Sequence, residues 1–220
     1  MNPAPFLPSP PVPARDCPRC PRLAAFRAEW RSREPAWHNA PVPSFGPPDA
    51  RLLIVGLAPG LRGANRTGRP FTGDWAGDLL YATLLKFGFA CGVYDERPDD
   101  TLELVDARIV NAVRCVPPEN KPTTAEIAEC RHFLAGELEA VDAARAVVAL
   151  GRIAHDSTLA ALRERRPRWP FAHGAEHDLG RLRLFDSYHC SRYNTNTGVL
   201  TTAMFEAVFA RVRAFLDAAG

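Results

Sequence analysis

The chain has 220 residues, 46% of them hydrophobic and 24% charged, with a formal net charge of +2. Those values fit one ordinary globular domain with a sizeable core and exclude a disordered or fibrous chain. A balance this close to neutral makes no case of its own for nucleic acid.

Residues 1–15 hold six prolines and read as an extended or disordered lead-in, leaving 16–220 as a single domain. Cys17-Pro-Arg-Cys20 follows, then a short helix from Leu23 to Arg33 with Phe26 and Trp30 four apart. Leu52-Leu53-Ile54-Val55 has the length and branching of a buried strand. It feeds the loop Gly56-Leu-Ala-Pro-Gly-Leu-Arg-Gly-Ala-Asn-Arg-Thr-Gly-Arg-Pro-Phe-Thr-Gly-Asp74, whose glycines let backbone N–H groups approach a ligand closely. Arginine in this loop suits phosphate without establishing it. All but two of the 27 cations are arginine, Lys86 and Lys121 excepted, and GC-rich coding accounts for most of that excess.

Asp74 stands at the N-cap of a helix over Trp75–Phe87, with Leu79, Leu80, Leu84 and Leu85 on its apolar face. Residues 88–106 show little pattern and read as loop. A second strand spans Ala107–Val113. After the proline-rich turn 117–122, Thr123 and Glu126 form a capping box that opens a helix carrying Ile127, Cys130, Phe133, Leu134 and Leu138. A third strand, Arg145–Leu150, precedes a helix over Ile153–Arg165 and an Arg/Pro-rich loop to about Leu179. The fourth strand, Arg181–Asp186, delivers Ser187-Tyr-His-Cys-Ser-Arg-Tyr-Asn194 to the sheet edge. A final helix starts at Thr201. Alternating strands and helices predict a three-layer α/β/α fold around a four-stranded parallel sheet, with ligands held at the carboxyl ends of the strands.

No apolar run reaches the length of a membrane span and the N-terminus has no signal-peptide pattern, so a cytoplasmic, membrane-free monomer is expected. Its six cysteines should then be reduced or metal-bound. Cys17 and Cys20 have the tight spacing of a metal pair, and Cys115 and Cys130 complete four sulfur donors. Tetrahedral zinc and an iron–sulfur cluster both fit that set. Cys91, in a hydrophobic stretch, reads as an ordinary buried cysteine.

Three segments then point to one family. Gly63-Ala-Asn-Arg-Thr-Gly-Arg-Pro-Phe-Thr-Gly-Asp74 resembles the first motif of the uracil-DNA glycosylases. Asn111-Ala-Val-Arg-Cys115, through to Cys130, resembles the segment that joins their base-reading Asn to two cluster cysteines. Ser187-Tyr-His-Cys-Ser-Arg-Tyr-Asn-Thr-Asn-Thr-Gly-Val-Leu-Thr201 resembles their His-containing loop. Their order and the cysteine set are most similar to the family-5, or type-b, branch, over residues 17–216. The resemblance implies removal of uracil from DNA by base flipping, a 4Fe–4S cluster on Cys17, Cys20, Cys115 and Cys130, and DNA bearing deaminated bases as partner.

Carried over residue by residue, it makes Phe71 the ring that stacks on the flipped base and Asn111 the amide that pairs with its edge. It makes His189 the donor that stabilises charge on the departing base. Asn65 and Arg66 in the first motif, and Ser191, Arg192 and Tyr193 in the last, become the DNA-facing set. Two departures stand out. His189-Cys190-Ser191 replaces a His-Pro-Ser, which leaves Cys190 an unpaired thiol and takes a loop-stiffening proline away. Relatives carry an acidic or polar group just after the first strand, where Gly56 is followed by Leu57 and Ala58, lining the base pocket without being able to orient water. Asp74 is the first candidate for that task and Asn120 the second, although each also suits a local role, as helix cap and turn residue. His155, His173 and His177 match no motif and read as structural or surface residues.

With no lysine in the first or last motif, no Schiff base is expected, so the glycosylase should be monofunctional. The apolar Leu57-Ala58 pair extends the expected substrates to hypoxanthine and xanthine. A weakly active or inactive iron–sulfur protein that binds damaged DNA is the alternative. A redox or nucleotide-binding role would leave Asn111 and the His189 loop unexplained.

Overall fold

A computed structural model describes residues 11–218; the first ten residues of the proline-rich lead-in fall outside it. The elements in chain order are α1 (Pro21–Arg33), β1 (Leu52–Gly56), α2 (Ala64–Thr67), α3 (Trp75–Lys86), β2 (Ala90–Cys91), β3 (Glu103–Leu104), β4 (Ala107–Asn111), α4 (Thr124–Ala140), β5 (Ala146–Leu150), α5 (Arg152–Ala161), β6 (Glu176–Asp178), β7 (Arg183–Ser187), α6 (Arg192–Asn196) and α7 (Thr202–Ala218). The main sheet runs β4-β1-β5-β7-β6. Its first four strands are parallel and are those read from the sequence.

The two central strands, β1 and β5, are apolar throughout because both their faces are covered, whereas β4 and β7 mix Arg108, Asn111, Arg183, Asp186 and Ser187 with their apolar residues. Leu52, Ile54, Ile109, Val148 and Phe185 point to the side packed by Leu80 and Leu84 of α3 and Phe205, Val208, Phe209 and Val212 of α7. Leu53, Val55, Val110, Val147, Ala149 and Leu184 point to the other, against Leu134 and Leu138 of α4 and Ala154 and Leu159 of α5. This is a three-layer fold with the site edge where the strands end. Thr123 and Glu126 form the expected capping box at the start of α4.

Several expectations are corrected. The sheet has five strands rather than four: β6 adds antiparallel to β7. Three residues, Glu-His-Asp, are too short for an alternating apolar signal, and the buried middle residue is a histidine. The patternless stretch before β4 contains the β2–β3 hairpin, in which Cys91 is exposed rather than buried. The described end of the lead-in is docked: Pro13 is buried, and it lines the same small cavity as Cys17, Cys20, Cys115 and Cys130.

Candidate active site

The strands end together. Gly56 pairs in register with Asn111, Val55 with Ala149, and Leu150 with Ser187. The loops leaving β1, β4 and β7 therefore meet at one edge, around a cleft of about 500 Å³ lined by Leu57, Ala58, Phe71, Asp74, Asn111, Asn120 and His189, with Ser191, Arg192 and Tyr193 on its rim.

At the floor, Asn111 is 3% exposed, and its Oδ1 is buried without a hydrogen-bond partner. An orphaned acceptor of this kind is rare in native proteins and marks a place where a donor belongs. Gly56 does not line the cleft; it lets the two walls meet. A Cβ there would sit 2.4 Å from Asn111 Oδ1 and 2.8 Å from the Phe71 ring. Phe71 is 6% exposed and stacks toward His189, with ring centroids 6.0 Å apart and planes at 30°.

Asp74 does cap α3, accepting from Gly77 N–H at 3.3 Å. It also lines the cleft. Burial raises its pKa above the usual carboxylate value, against the pull of its backbone hydrogen bonds. One side chain thus both caps the helix and lines the cleft, so the two candidate roles read from the sequence are not exclusive. His189 is half-buried in the cleft wall, and desolvation pushes its pKa down to about 4, so a neutral ring faces the cleft at physiological pH. Its loop is held without the proline. Asn194 Nδ2 donates to His189 O at 2.8 Å, and the Cys190 thiol donates to Ala76 O at 3.4 Å. Asn120 reaches the cleft from the Pro118–Asn120 turn on left-handed backbone, φ 58°, which asparagine tolerates.

On the rim, Ser191 caps α6 and Tyr193 is 74% exposed. Trp75 belongs with them although no sequence motif marks it. It is 47% exposed, lies beneath Arg192 at 5.4 Å, and donates from Nε1 to Thr195 Oγ1 at 2.9 Å. Two members of the expected DNA-facing set are placed elsewhere. Asn65 is fully buried and donates to Asn39 Oδ1 at 2.8 Å, pinning its loop to the 38–39 segment. Arg66 is exposed but turns to Arg62 O and to a separate surface cavity beside Trp37 and His38. Both lie on the short helix α2, which the glycine-rich sequence disguised as loop.

Away from the cleft, α1 brings Cys17 and Cys20 to Cys115 and Cys130, with Leu23, Val113 and Phe133 around them. Burial pushes the Cys20 thiol up to about 11 and the Cys115 thiol up to about 12. Arg27, 2% exposed, donates to Cys115 Sγ at 3.0 Å and to Cys17 O at 2.7 Å, while its Nε finds no partner. The Arg114 N–H donates to Cys130 Sγ at 3.3 Å.

Residues 43–213 match the family described as the Uracil DNA glycosylase superfamily. A type-5 uracil-DNA glycosylase of Thermus thermophilus is 47% identical over 196 residues, covering 86% of this chain and 89% of the relative. One from Pyrobaculum aerophilum is 40% identical over 203 residues, covering 90% and 88%. One from Mycobacterium tuberculosis is 42% identical over 203 residues, covering 88% and 75%.

Proposed function

The chain belongs to the uracil-DNA glycosylase superfamily, on its type-5 branch, and we propose how the cleft at its sheet edge carries out that family's reaction. The enzyme removes uracil from DNA in repair, hydrolysing the N-glycosidic bond. The bond from C1′ to the base nitrogen breaks, its electron pair leaves on uracil, and water supplies the oxygen newly bonded to C1′.

Phe71 offers a face to the flipped base, and the Asn111 amide donates to a uracil carbonyl while accepting from N3–H. His189, held neutral by burial, donates to O2 as negative charge develops there. A donor already in place when charge appears is worth most in a site shielded from water. Asp74 orients the attacking water and accepts its proton, and its negative charge offsets the positive charge on the sugar. A carboxylate stripped of solvent is a stronger base than one in water. Leu57 and Ala58 have no polar atoms for that task, and Asn120 stands as a second polar group at the mouth. Among the described residues lining the cleft none is a lysine, which supports hydrolysis without a lyase step. Ser191, Arg192 and Tyr193 meet the phosphates and the gap left by the extruded base. The apolar walls and the cleft volume favour hypoxanthine and xanthine as further substrates, and failure to release either would remove them.

The cysteine corner fits a 4Fe–4S cluster. Among the described residues, the single group of three or more His, Cys, Asp or Glu whose ligand atoms lie within 4.8 Å of one another is His155, His177 and Asp186. No three of the four sulfurs are therefore that close, whereas tetrahedral zinc at 2.3 Å from each sulfur needs separations of about 3.8 Å. Arg27 faces the sulfurs, buried, with no carboxylate paired to it among the described residues. A buried cation needs an anionic neighbour, and a thiolate-bound cluster is one. Cys17, Cys20, Cys115 and Cys130 would hold it, and when bound it would supply electron-transfer capability and a clamp on the N-terminal segment.

No helix among the described residues is long and apolar enough to cross a membrane. DNA as substrate accords with a cytoplasmic enzyme.

The observation that carries this reading is the partnerless Asn111 Oδ1 on the same cleft as Phe71, Asp74 and His189. Base release from a duplex bearing one uracil tests it, comparing wild type with Asp74→Ala and His189→Ala. Release by wild type and a sharp loss in both variants is expected. No release by folded wild type, with tight binding to abasic DNA, would move the protein to the damage-binding alternative.

A further inference from the structure

Phe71 sits on backbone that phenylalanine seldom adopts. Its φ is +52°, in the left-handed region, where a bulky residue persists only if its surroundings hold it. Three groups do so. Tyr94 Oη donates to Phe71 O at 3.2 Å, and Tyr81 Oη donates to Pro70 O at 2.5 Å. Arg69 Nε donates to Thr72 Oγ1 at 2.7 Å, and its two terminal nitrogens donate to the two oxygens of Asp100, each at 2.7 Å. The same guanidinium lies over the rings of Phe45, Tyr81 and Tyr94 at 5.2, 5.7 and 5.9 Å.

The meeting of Tyr94 with the Phe71 carbonyl depends on Gly77. A Cβ at that position would lie 1.9 Å from Phe71 O and 2.5 Å from Tyr94 Oη. Tyr94 and Asp100 both come from residues 92–102, the strap between β2 and β3, and neither lines the cleft. Asp100 shapes the strap from within, accepting from Asp95 N–H at 2.9 Å and Leu102 N–H at 3.0 Å. The strap thus holds the Phe71 carbonyl through Tyr94 and the Arg69 side chain through Asp100, without reaching the substrate.

We propose that Tyr94 is a positioning residue: through the Phe71 carbonyl it sets the height of the aromatic platform, and so the enzyme's hold on the flipped base as distinct from its hold on DNA. This rests on Phe71 being that platform. A strap that merely closes the fold would, when loosened, weaken both holds alike.

The test compares two duplexes. One carries 2′-fluoro-2′-deoxyuridine, whose glycosidic bond resists hydrolysis, and the other a tetrahydrofuran abasic analogue with no base to stack. Wild type, Tyr94→Phe, Tyr81→Phe and Phe71→Ala are titrated with each, and their melting midpoints recorded. Tyr94→Phe deletes one hydroxyl and keeps the ring against Tyr81, 4.6 Å away. It is expected to weaken binding of the fluorouridine duplex about 3- to 10-fold, the size of one net hydrogen bond, with abasic-duplex binding unchanged. Tyr81→Phe should act in the same direction, which guards against a folding defect in either variant alone. Equal loss on both duplexes would overturn the proposal. So would no loss on either while Phe71→Ala still loses the fluorouridine duplex selectively; the platform reading would then survive. If Phe71→Ala leaves the ratio of the two affinities as it is in wild type, the platform reading falls and takes this proposal with it.

Discussion

Strand β7 and the loop after it carry an aspartate and a histidine three positions apart, Asp186 and His189, with opposite fates. Asp186 is fully buried and fully matched. Its two oxygens meet His155 Nδ1 at 2.7 Å and His177 Nε2 at 2.9 Å, and His155 Nε2 meets Trp169 O at 2.9 Å. Its backbone is tied on both sides as well, to Gly174 and Ala175. The cleft uses the same residue types and leaves them short of partners. Asp74 keeps backbone bonds alone, the His189 ring bonds to no other described residue, and Asn111 Oδ1 has nothing. Residue type therefore does not distinguish the brace from the cleft; unmet hydrogen-bonding capacity gathered on one cavity does, since single partnerless atoms such as Asn65 Oδ1 and Ser157 Oγ also occur away from it.

The sharpest way to break this contrast is to unmatch the brace. Asp186→Ala leaves two buried imidazoles facing a void and should cost about 3–5 kcal/mol, lowering the melting midpoint by roughly 6–20 °C. An unchanged midpoint would show that the triad braces nothing. Next comes His189→Ala, which on the proposed mechanism removes the donor to the departing base. It should lower the single-turnover rate about 100- to 1000-fold while leaving the midpoint near that of wild type. Equal damage to rate and stability would erase the distinction between the two sites.

The third test uses protons. The folded pKa of His189, about 4, lies below its ordinary 6.5, so the folded state resists taking up a proton there. That stability is intact above pH 6.5 and is lost as pH falls toward 4. Wild type should lose about 1–3 kcal/mol more than His189→Gln across that window, read from denaturant midpoints; parallel curves would contradict it. Asp74 has the opposite sign. Its raised pKa makes the carboxylate a cost at neutral pH, relieved on acidification. Asp74→Asn can still cap α3 while shedding the charge, so it should raise the midpoint by about 2–4 °C at pH 7 and abolish most base release.

The central parallel strands were legible because a strand covered on both faces is apolar from end to end, and Leu52–Val55 and Val147–Leu150 have no other use. The capping box at Thr123 and the Asp74 cap were equally plain, since each depends on neighbours within four residues. β6 was hidden because its buried residue is His177, and α2 because glycines flank it. Asn65 was misassigned because its partner, Asn39, is remote in sequence and carries no motif. The chemistry of Phe71, Asn111 and His189 was named from family resemblance. What the residues alone could not show was the pairing of Gly56 with Asn111, which puts that amide against the Phe71 ring.

That pairing has a further consequence for synthesis. The first motif leaves β1 and the second leaves β4, and these strands are neighbours. The His189 loop leaves β7, separated from β1 by β5, and α7 covers one face of the sheet only after that. A growing chain thus holds Phe71 and Asn111 long before it holds His189. Translation order therefore withholds the third cleft loop from the nascent chain until β7 has been made.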